Sequence, residues 1–360
     1  MIILHIAPII HNKISGLTFC IPALVNALHR QGIVTAMLTT ESLGRYETPQ
    51  PYPVFYLQDF PLYQAISALP PPFNQPNLIV FHGVYFFTHA LLAAQARVLG
   101  IPYIITPHSS LTQRAQQVKP RKKIIGNWLI FKRVIKNAAA IHCLTENEGI
   151  DAQKWHKSVF VVGNGVELPP EKTVIKNNLN FGFLGRLDIY QKGLDLLLEA
   201  AAISKEQLSQ AQVKINLYGP DKSGSKETLK KLINKYQIED LVLIKEPVWG
   251  AEKEQVLQET NLFLHTSRFE GQPMAILEAL ADSLPCLLTP GTNVAEEVVN
   301  AGAGWAVGET PQAIAAGLCQ VIAKKNQLTA KGKAARKLVE SKYTWEKIGV
   351  QTLREYMQVI

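Results

Sequence analysis

Short apolar runs alternate with amphipathic stretches along most of the chain. The runs are typical of buried strands, whereas the stretches between them carry apolar residues at helical spacing. The first such unit has a run at Met1–Ala7, a stretch with Leu17, Ile21, Leu24 and Leu28 on one face, and a second run at Ile33–Leu38. A strand, a helix and a strand in succession predict an α/β fold with a parallel sheet.

Later runs continue this alternation, although residues 44–76, rich in proline and tyrosine, predict no clear element. Further strands are predicted at Leu78–Phe81, Pro102–Thr106, Ala138–Leu144, Phe160–Val162, Asn180–Leu184, Lys214–Tyr218, Leu241–Lys245, Leu262–His265 and Leu284–Leu288. A weakly apolar segment with two adjacent prolines, residues 167–178, divides them into two groups. Because 360 residues can bury two cores, we predict one domain over residues 1–168 and another over residues 169–343.

The composition is that of a soluble globular protein, with 47% hydrophobic and 18% charged residues. No apolar run reaches the roughly 18 residues that a transmembrane helix needs. The apolar N-terminus lacks the basic region and cleavage site of a signal peptide, so it is interpreted as a strand. Four scattered cysteines without a CxxC spacing are expected to be reduced thiols in a cytoplasmic protein.

Basic residues are concentrated in the first half of the chain. Residues 1–168 contain 14 Lys and Arg against 7 Asp and Glu, whereas the rest contains 23 against 22. No acidic residue occurs between Asp59 and Glu146. This distribution indicates an anionic partner such as lipid phosphate, a membrane surface or an acidic glycan. Nucleic acid is not expected, because no aromatic and basic recognition motif accompanies the charge.

Residues 119–136 are the most basic stretch and carry Ile124, Trp128, Phe131 and Ile135 at helical spacing. Two interpretations are open. The apolar stripe would lie on an anionic membrane surface and make the protein peripheral on the inner face of the membrane. Alternatively, the stripe packs on the core of the first domain, and the lysines form a solvated face.

The stretch from Phe269 to Leu280 combines a turn, a helix start and two carboxylates. It follows the predicted strand Leu262–His265, and Pro273 suits the first turn of a helix. Free N–H groups and the helix dipole make such a start a binding place for anions. Glu270 lies in the turn and Glu278 eight positions later, so the pair could reach hydroxyl groups on either side of a bound phosphate.

A second motif follows the strand Asn180–Leu184, which runs into Gly185 and Arg186. Lys192 comes six residues after Arg186. An arginine offers a planar fork to phosphate oxygens, and a lysine offers a mobile point charge. The two cations therefore suit a diphosphate.

Together these motifs resemble those of family 4 retaining glycosyltransferases of the GT-B type. The resemblance covers most of the chain and is strongest over residues 180–200 and 263–288. It extends to the segment GIPYIITPHSSL, in which Ser109 replaces the usual glycine, and to the N-terminal loop, in which only Gly16 stands for two adjacent glycines. It implies two Rossmann-like α/β domains facing a cleft, with the C-terminal helix at residues 344–358 crossing back to the first domain.

The resemblance also implies a site. The donor-binding residues would be Gly16, Gly185, Arg186, Lys192, Glu270, Gly271, Gln272, Pro273, Met274, Ala275 and Glu278, and the catalytic residues would be Glu270, Arg186, Lys192 and His108. Arg186 and Lys192 would hold the diphosphate of a nucleotide sugar, Glu278 the ribose and Glu270 the sugar. No DxD sequence occurs, so we expect neither a metal nor any cofactor besides the donor. The acceptor would be a lipid-linked or growing glycan.

Three other functions are compatible with parts of this pattern. A sugar-nucleotide epimerase uses the same fold and needs no acceptor. A non-catalytic protein would bind a sugar nucleotide without consuming it. A nicotinamide oxidoreductase is disfavoured, because the G-x-G-x-x-G fingerprint is missing. The scarcity of acids in the first domain is compatible with retention, which needs no carboxylate base there, although His108 or His82 could act as a base.

Overall fold

In the computed structural model the chain divides into two compact units. The first unit contains Met1–Gly165 and Trp345–Ile360, and the second contains Val166–Thr344. The structure describes residues 1–9, 16–41, 45–46, 49–117, 120–170, 179–222 and 224–360. The predictions for Lys119 and for linker residues 171–178 therefore lie outside the described residues.

Parallel strands form the sheet of the first unit. Over the described ranges they are β1 (Ile2–Ala7), β2 (Val34–Thr39), β3 (Val54–Tyr56), β4 (Leu78–His82), β5 (Tyr103–Thr106), β6 (Ala140–Cys143) and β7 (Val159–Val161). Their order is β3-β2-β1-β4-β5-β6-β7. The register places Ile3 of β1 beside Leu78 of β4, and His82 of β4 beside Thr106 of β5. The first strand thus lies inside the sheet. Strands β2 and β3 are added on one side of β1, and strands β4 to β7 are added on the other side.

Helices connect these strands. They are α1 (Gly16–Arg30), α2 (Phe87–Val98), α3 (Gln113–Gln117), α4 (Pro120–Gly126), α5 (Lys132–Lys136) and α6 (Glu146–Ala152). A π-helical turn at Asn127–Phe131 joins α4 to α5. Two short 3₁₀ turns, Leu57–Asp59 and Leu62–Gln64, follow β3.

The second unit repeats the same plan. Its strands are β8 (Asn180–Leu184), β9 (Lys214–Tyr218), β10 (Val242–Lys245), β11 (Leu262–His265), β12 (Cys286–Leu288) and β13 (Gly304–Ala306), in the order β10-β9-β8-β11-β12-β13. Its helices are α7 (Ile189–Lys192), α8 (Leu194–Ile203), α9 (Lys205–Gln210), α10 (Ser225–Tyr236), α11 (Gly250–Glu259), α12 (Met274–Ala281), α13 (Ala295–Asn300), α14 (Pro311–Ala323) and α15 (Leu328–Lys342). All pairs in both sheets are parallel, and each unit buries its own apolar core. The predicted pair of Rossmann-like folds is confirmed.

The last helix, α16 (Trp345–Met357), belongs to the first unit, as predicted. It packs on α1, where Gly349 lies against Ala27. Its Tyr356 is fully buried, and its hydroxyl lies 3.3 Å from Nδ1 of His142 on β6. Apolar residues three and four positions apart give α16 the buried face that holds it in this unit.

The helical segment at residues 120–136 presents a different face from the predicted one. Ile135 is completely buried, and Phe131 packs edge-on against Tyr85 with a centroid distance of 5.1 Å. Trp128, in contrast, is 81% exposed and Ile124 is 66% exposed. The prediction of one continuous stripe was wrong, because the wider π turn at Asn127–Phe131 rotates the residues after it relative to those before it.

An exposed apolar face is left on this segment. We define it as Ile124, Ile125, Trp128 and Leu129, all of which are exposed. Four exposed cations surround it in sequence, namely Arg121, Lys122, Lys132 and Arg133. Within the ranges described above, none of the helices combines the length and the apolar character that crossing a membrane requires.

Candidate active site

The two sequence motifs of the second unit meet at one point of its sheet. β8 and β11 are neighbours, with Phe181 beside Leu262 and Gly182 beside Phe263. The chain goes from β8 to one side of the sheet and from β11 to the other, and ligands of open α/β sheets bind at the carboxyl ends of such a strand pair. Gly185 and Arg186 follow β8 directly, and the turn with Glu270 follows β11.

Glu270 is the centre of a buried polar cluster at this point. Its Oε1 atom lies 2.5 Å from Nζ of Lys192, 2.7 Å from Oγ of Ser267 and 3.3 Å from Nε2 of His265. The Lys192 and Glu270 side chains are 10% and 8% exposed. The structure therefore brings two predicted catalytic residues into direct contact. The partners His265 and Ser267 were not predicted, although polar residues at the end of a buried strand were a signal.

The cluster keeps Glu270 ionised. Burial alone would raise its pKa, but the hydrogen bond from His265 and the charge of Lys192 outweigh burial and lower the pKa to about 2. Burial lowers the pKa of His265, so its ring is neutral and donates from Nε2 to the carboxylate. Its Nδ1 atom is buried and has no hydrogen-bond partner in the described part of the chain. A fixed anionic carboxylate of this kind accepts hydrogen bonds from hydroxyl groups.

The turn after Lys192 is locked to the end of β11. The hydroxyl of Thr266 donates to the carbonyl oxygens of Lys192, at 3.2 Å, and of Gly193, at 3.1 Å. Gly193 has a left-handed φ of 61°, and a Cβ atom there would lie 2.1 Å from the carbonyl oxygen of Thr266. Only glycine fits both the backbone conformation and the close approach. This lock holds the Lys192 ammonium at Glu270.

Arg186 is the second predicted cation, and it differs from Lys192 in its surroundings. Its side chain is exposed, and it makes no hydrogen bond or ion pair within the described ranges. Nearby Asp188 caps α7 by accepting the N–H of Gln191 at 3.0 Å, and it also accepts from Lys222. The guanidinium of Arg186 is thus available for an anionic ligand.

The N-terminus of α12, after the turn that follows β11, has no side-chain cap among the described residues. α12 begins at Met274, and Pro273 occupies the cap position. The amide of Asn293 donates to the carbonyl oxygens of Glu270, at 2.6 Å, and of Gly271, at 3.2 Å, and so fixes the turn. Gln272 is buried within it. The first N–H groups of α12, at Met274 and Ala275, have no partner inside the helix and are suited to a phosphate.

Glu278 lies on α12 just over one turn after its start, about 6 Å along the axis. Its Oε1 atom is 2.8 Å from Nζ of Lys253 on α11, and both side chains are about 30% exposed. Lys253 orients this carboxylate and was not identified from the sequence. Its position, 25 residues before Glu278, carries no local signal.

The other two predicted residues belong to the first unit. Gly16 is the first residue of α1, and the preceding loop residues 10–15 lie outside the described part of the chain. His108 is the second residue after β5 and has a φ of 48°, and Ser109 has a φ of 66°. Ser109 therefore adopts a left-handed conformation that favours glycine, which explains why the resembling family has glycine there.

A buried carboxylate holds this strained turn. Glu148 of α6 accepts the N–H of Ser109 with one oxygen and the N–H of Leu144, at 2.8 Å, with the other. Burial raises the pKa of Glu148, although the two backbone N–H groups oppose that effect. Thr145 caps the same helix by accepting the N–H of Glu148. The role of Glu148 was missed, because it links loops that only the pairing of β5 with β6 brings together.

The described residues do not form a metal-binding site. Over the described ranges, no three side chains of the types His, Cys, Asp or Glu form a group that could hold a metal ion. The absence of a metal from the reaction stays a prediction.

Comparison with known families matches both halves of the chain. Residues 14–168 match the family described as Glycosyltransferase Family 4, and residues 167–338 match the family described as Glycosyl transferases group 1. Together the matches run from residue 14 to residue 338. The chain belongs to the group 1 glycosyltransferases.

Among curated proteins, one relative is the putative colanic acid biosynthesis glycosyltransferase WcaL of Escherichia coli. It is 31% identical over 144 residues, which are 38% of this chain and 34% of that protein. The match thus spans about a third of the relative's length. Another is a D-inositol 3-phosphate glycosyltransferase of Pseudarthrobacter chlorophenolicus, 22% identical over 58% of this chain and 54% of that protein.

Solved structures share the fold over the whole chain. Sucrose-phosphate synthase from Thermosynechococcus elongatus has a TM-score of 0.77 at 16% identity, covering 99% of this chain and 98% of the other. The Anabaena protein HepE, solved in complex with UDP and glucose, has a TM-score of 0.74 at 19% identity and full coverage of both chains. At such identities the likeness establishes the fold, which is the GT-B fold of glycosyltransferases.

Proposed function

We propose that the chain is a glycosyltransferase that moves a sugar from a nucleotide-diphosphate sugar to a hydroxyl group of an acceptor. Family membership supports transfer in general. The observation that carries the proposal is the cluster at the carboxyl ends of β8 and β11, where Lys192 contacts an ionised Glu270 beside the uncapped start of α12.

Each group of this cluster has a role in binding the donor. The diphosphate would lie between Arg186, Lys192 and the first N–H groups of α12. Glu278 would accept from the ribose hydroxyls, and Glu270 from hydroxyls of the sugar. Bond cleavage places negative charge on the departing diphosphate, so the two cations stabilise the transition state more than the ground state.

Transfer would proceed with retention of configuration and without a metal. In a retaining reaction of this kind the departing phosphate oxygen helps to deprotonate the acceptor, so no carboxylate base is required from the first unit. The positive charges of Arg186 and Lys192 would replace the charge that a metal supplies in other transferases.

The acceptor would be a lipid-linked or growing glycan, reached from the cytoplasmic side of a membrane. The exposed apolar face supports this proposal, because Trp128 and its apolar neighbours lie among Arg121, Lys122, Lys132 and Arg133. Apolar residues that dip into an interface beside basic residues bind anionic bilayers. The colanic acid name of the Escherichia coli relative points to the same kind of polysaccharide synthesis.

A thermal-shift panel of UDP-, GDP- and ADP-sugars tests the donor part of the proposal. A ligand that binds only the folded protein raises its melting temperature. One nucleotide class should raise the melting temperature of the wild type, and the shift should be smaller in Arg186→Ala. Lys222→Ala is the matched control, because Lys222 pairs with Asp188 beside the site. If no sugar nucleotide changes the melting temperature, the proposal is wrong.

A further inference from the structure

Three histidines of the first unit form a hydrogen-bonded row across its sheet. His5 lies on β1, His82 ends β4, and His108 follows β5, and these strands are neighbours in this order. Nδ1 of His5 is 3.0 Å from Nε2 of His82, and Nδ1 of His82 is 3.1 Å from Nε2 of His108. The rings are stacked, with centroids 5.3 and 5.4 Å apart. We call these three residues the histidine row.

The row can carry its protons in two ways only. Burial lowers the pKa of His5 and of His108 to about 3, and that of His82 well below its ordinary value, so all three rings are neutral. A neutral imidazole has one N–H donor and one acceptor nitrogen. Because His82 uses both nitrogens, its two hydrogen bonds must run in the same direction along the row.

The buried end of the row decides between the two directions. Nε2 of His5 is buried and has no hydrogen-bond partner in the described residues. If the row ran from His108 to His5, that nitrogen would carry an unpaired N–H, and orphaned buried N–H groups are rarer in proteins than orphaned acceptors. The row therefore runs from His5 to His82 to His108, and Nε2 of His108 is an acceptor.

The His108 end of the row is its less buried end. His108 is partly exposed, and its Nδ1 atom has no hydrogen-bond partner over the described ranges. It lines a cavity of about 10 Å³, the size of one water molecule, together with His82 and with Cys20 and Leu24 of α1. With Nε2 occupied as an acceptor, the single proton of His108 is on Nδ1.

We propose that His5 and His82 are positioning residues that keep the proton of His108 on Nδ1, so that His108 donates a hydrogen bond to the substrates and is not the general base. This inference rests on the proposed transferase function and deepens it. The oxygen that receives the bond would be a hydroxyl oxygen of a bound substrate. The acceptor hydroxyl must then lose its proton to a group other than His108. In the proposed retaining reaction, that group is the departing phosphate oxygen.

Nitrogen NMR of the ligand-free protein tests the proton position directly. The ring nitrogens of ¹⁵N-histidine-labelled protein have distinct shifts when they carry a proton and when they do not, and the spectrum of His108→Gln assigns His108. The expected result is a proton on Nδ1 and a bare Nε2. A proton on Nε2, or on both nitrogens at neutral pH, would overturn the inference. This readout does not depend on catalysis, so its failure is distinct from failure of the proposed function.

Variants at His82 test the positioning role. Asn keeps an N–H donor near the place of Nδ1, whereas Leu removes it. We expect His82→Asn to keep the His108 proton on Nδ1 with nearly normal kcat. His82→Leu should let the proton exchange between both nitrogens and lower kcat roughly fivefold, the worth of one hydrogen bond. An unchanged His108 spectrum in His82→Leu would refute the role of the row.

Matched controls separate positioning from folding. His89 is equally buried, but its Nδ1 bonds to the carbonyl oxygen of Gly83, outside the row. His89→Asn and His89→Leu should leave the His108 spectrum unchanged. If His82→Leu does not fold, His5→Phe replaces it, because losing the first donor of the row should also mix the two proton positions of His108. A single Nδ1 form in His5→Phe would count against the proposal.

Discussion

The ammonium of Lys192 lies 2.5 Å from the carboxylate of Glu270, and each side chain is about nine-tenths buried. Few ion pairs are this sheltered, because both charges lose their hydration. Here Ser267 and His265 complete the hydrogen bonds of the carboxylate. The pair is therefore preformed before any ligand binds, and a diphosphate would meet a lysine that is already in place.

This ion pair should matter for stability as well as for turnover. Removing one partner of a buried pair leaves an uncompensated charge, which costs about 3–5 kcal/mol. We expect Lys192→Ala to lower the free energy of unfolding by about 3 kcal/mol in urea titrations followed by circular dichroism. Lys253→Ala is the control, since its pair with Glu278 is about 30% exposed and should contribute at most about 1 kcal/mol. Equal losses in the two variants would contradict a special role for the Lys192 pair.

Stability should fall as the pH drops below about 6.5. Burial lowers the pKa of His5 to about 3 and those of His89 and His142 to about 4, whereas the unfolded chain titrates near 6.5. Between those values the unfolded chain binds protons that the folded chain does not, so acid favours unfolding. Each such histidine contributes a slope of about 1.4 kcal/mol per pH unit.

Urea unfolding at a series of pH values measures this slope. Glu270 affects stability at lower pH, because its pKa of about 2 in the folded protein lies below its value in the unfolded chain. Its contribution to the free energy of unfolding is lost only as the pH falls from about 4.5 towards 2. His89→Leu should therefore flatten the upper window, and Glu270→Gln the lower one. A free energy of unfolding that stays constant from pH 7 to pH 5 would show that the buried histidines are not neutral.

The sequence predicted the order of the main elements, because the apolar residues of strands such as β9 and β11 stand out from the amphipathic stretches between them. It did not predict β3, which lies in the stretch rich in proline and tyrosine, or β13, which has only three residues and begins with a glycine. It also placed Phe131 and Ile135 on one face with Ile124 and Trp128, because a π turn has no signature in the spacing of residues. Here the helix period alone was not enough.

Within the candidate site, motif residues could be found from local spacing, whereas their partners could not. Lys192 and Glu270 each belong to a recognisable segment, but their contact depends on β8 lying beside β11. The same holds for Glu148 and Ser109, which are 39 residues apart and meet because β5 pairs with β6. Partners of this kind follow from the sheet topology, which a single sequence does not specify.

The two carboxylates should have separable effects on donor binding. Glu278→Ala should weaken binding of the free nucleoside diphosphate roughly fivefold, because one hydrogen bond to the ribose is worth about 1 kcal/mol. Glu270→Ala should spare the free nucleoside diphosphate and weaken binding of the intact sugar nucleotide. Isothermal titration calorimetry measures both affinities in both variants. The assignment is wrong if both variants bind both ligands like the wild type.

Membrane docking should depend on the exposed apolar face. We expect wild-type protein to sediment with vesicles that contain anionic lipid, less so at high salt, because each nearby basic residue contributes about 1 kcal/mol. Trp128→Ser and Arg121→Glu/Lys122→Glu should each reduce the bound fraction. Val98→Ser is the control, since Val98 is also highly exposed but lies outside that face. Equal binding by all variants, or by none including the wild type, would leave this face without a membrane role.

Acceptor-dependent transfer is the most direct test of the proposed function. The protein is incubated with the sugar nucleotide that raises its melting temperature, with and without alkyl glycoside acceptors, and products are followed by proton NMR. We predict that the sugar appears on an acceptor hydroxyl with the anomeric configuration of the donor, in the presence of chelator, and that Lys192→Ala lowers kcat more than it weakens donor binding. Donor that is epimerised without acceptor, or bound and never consumed, would contradict a transferase function.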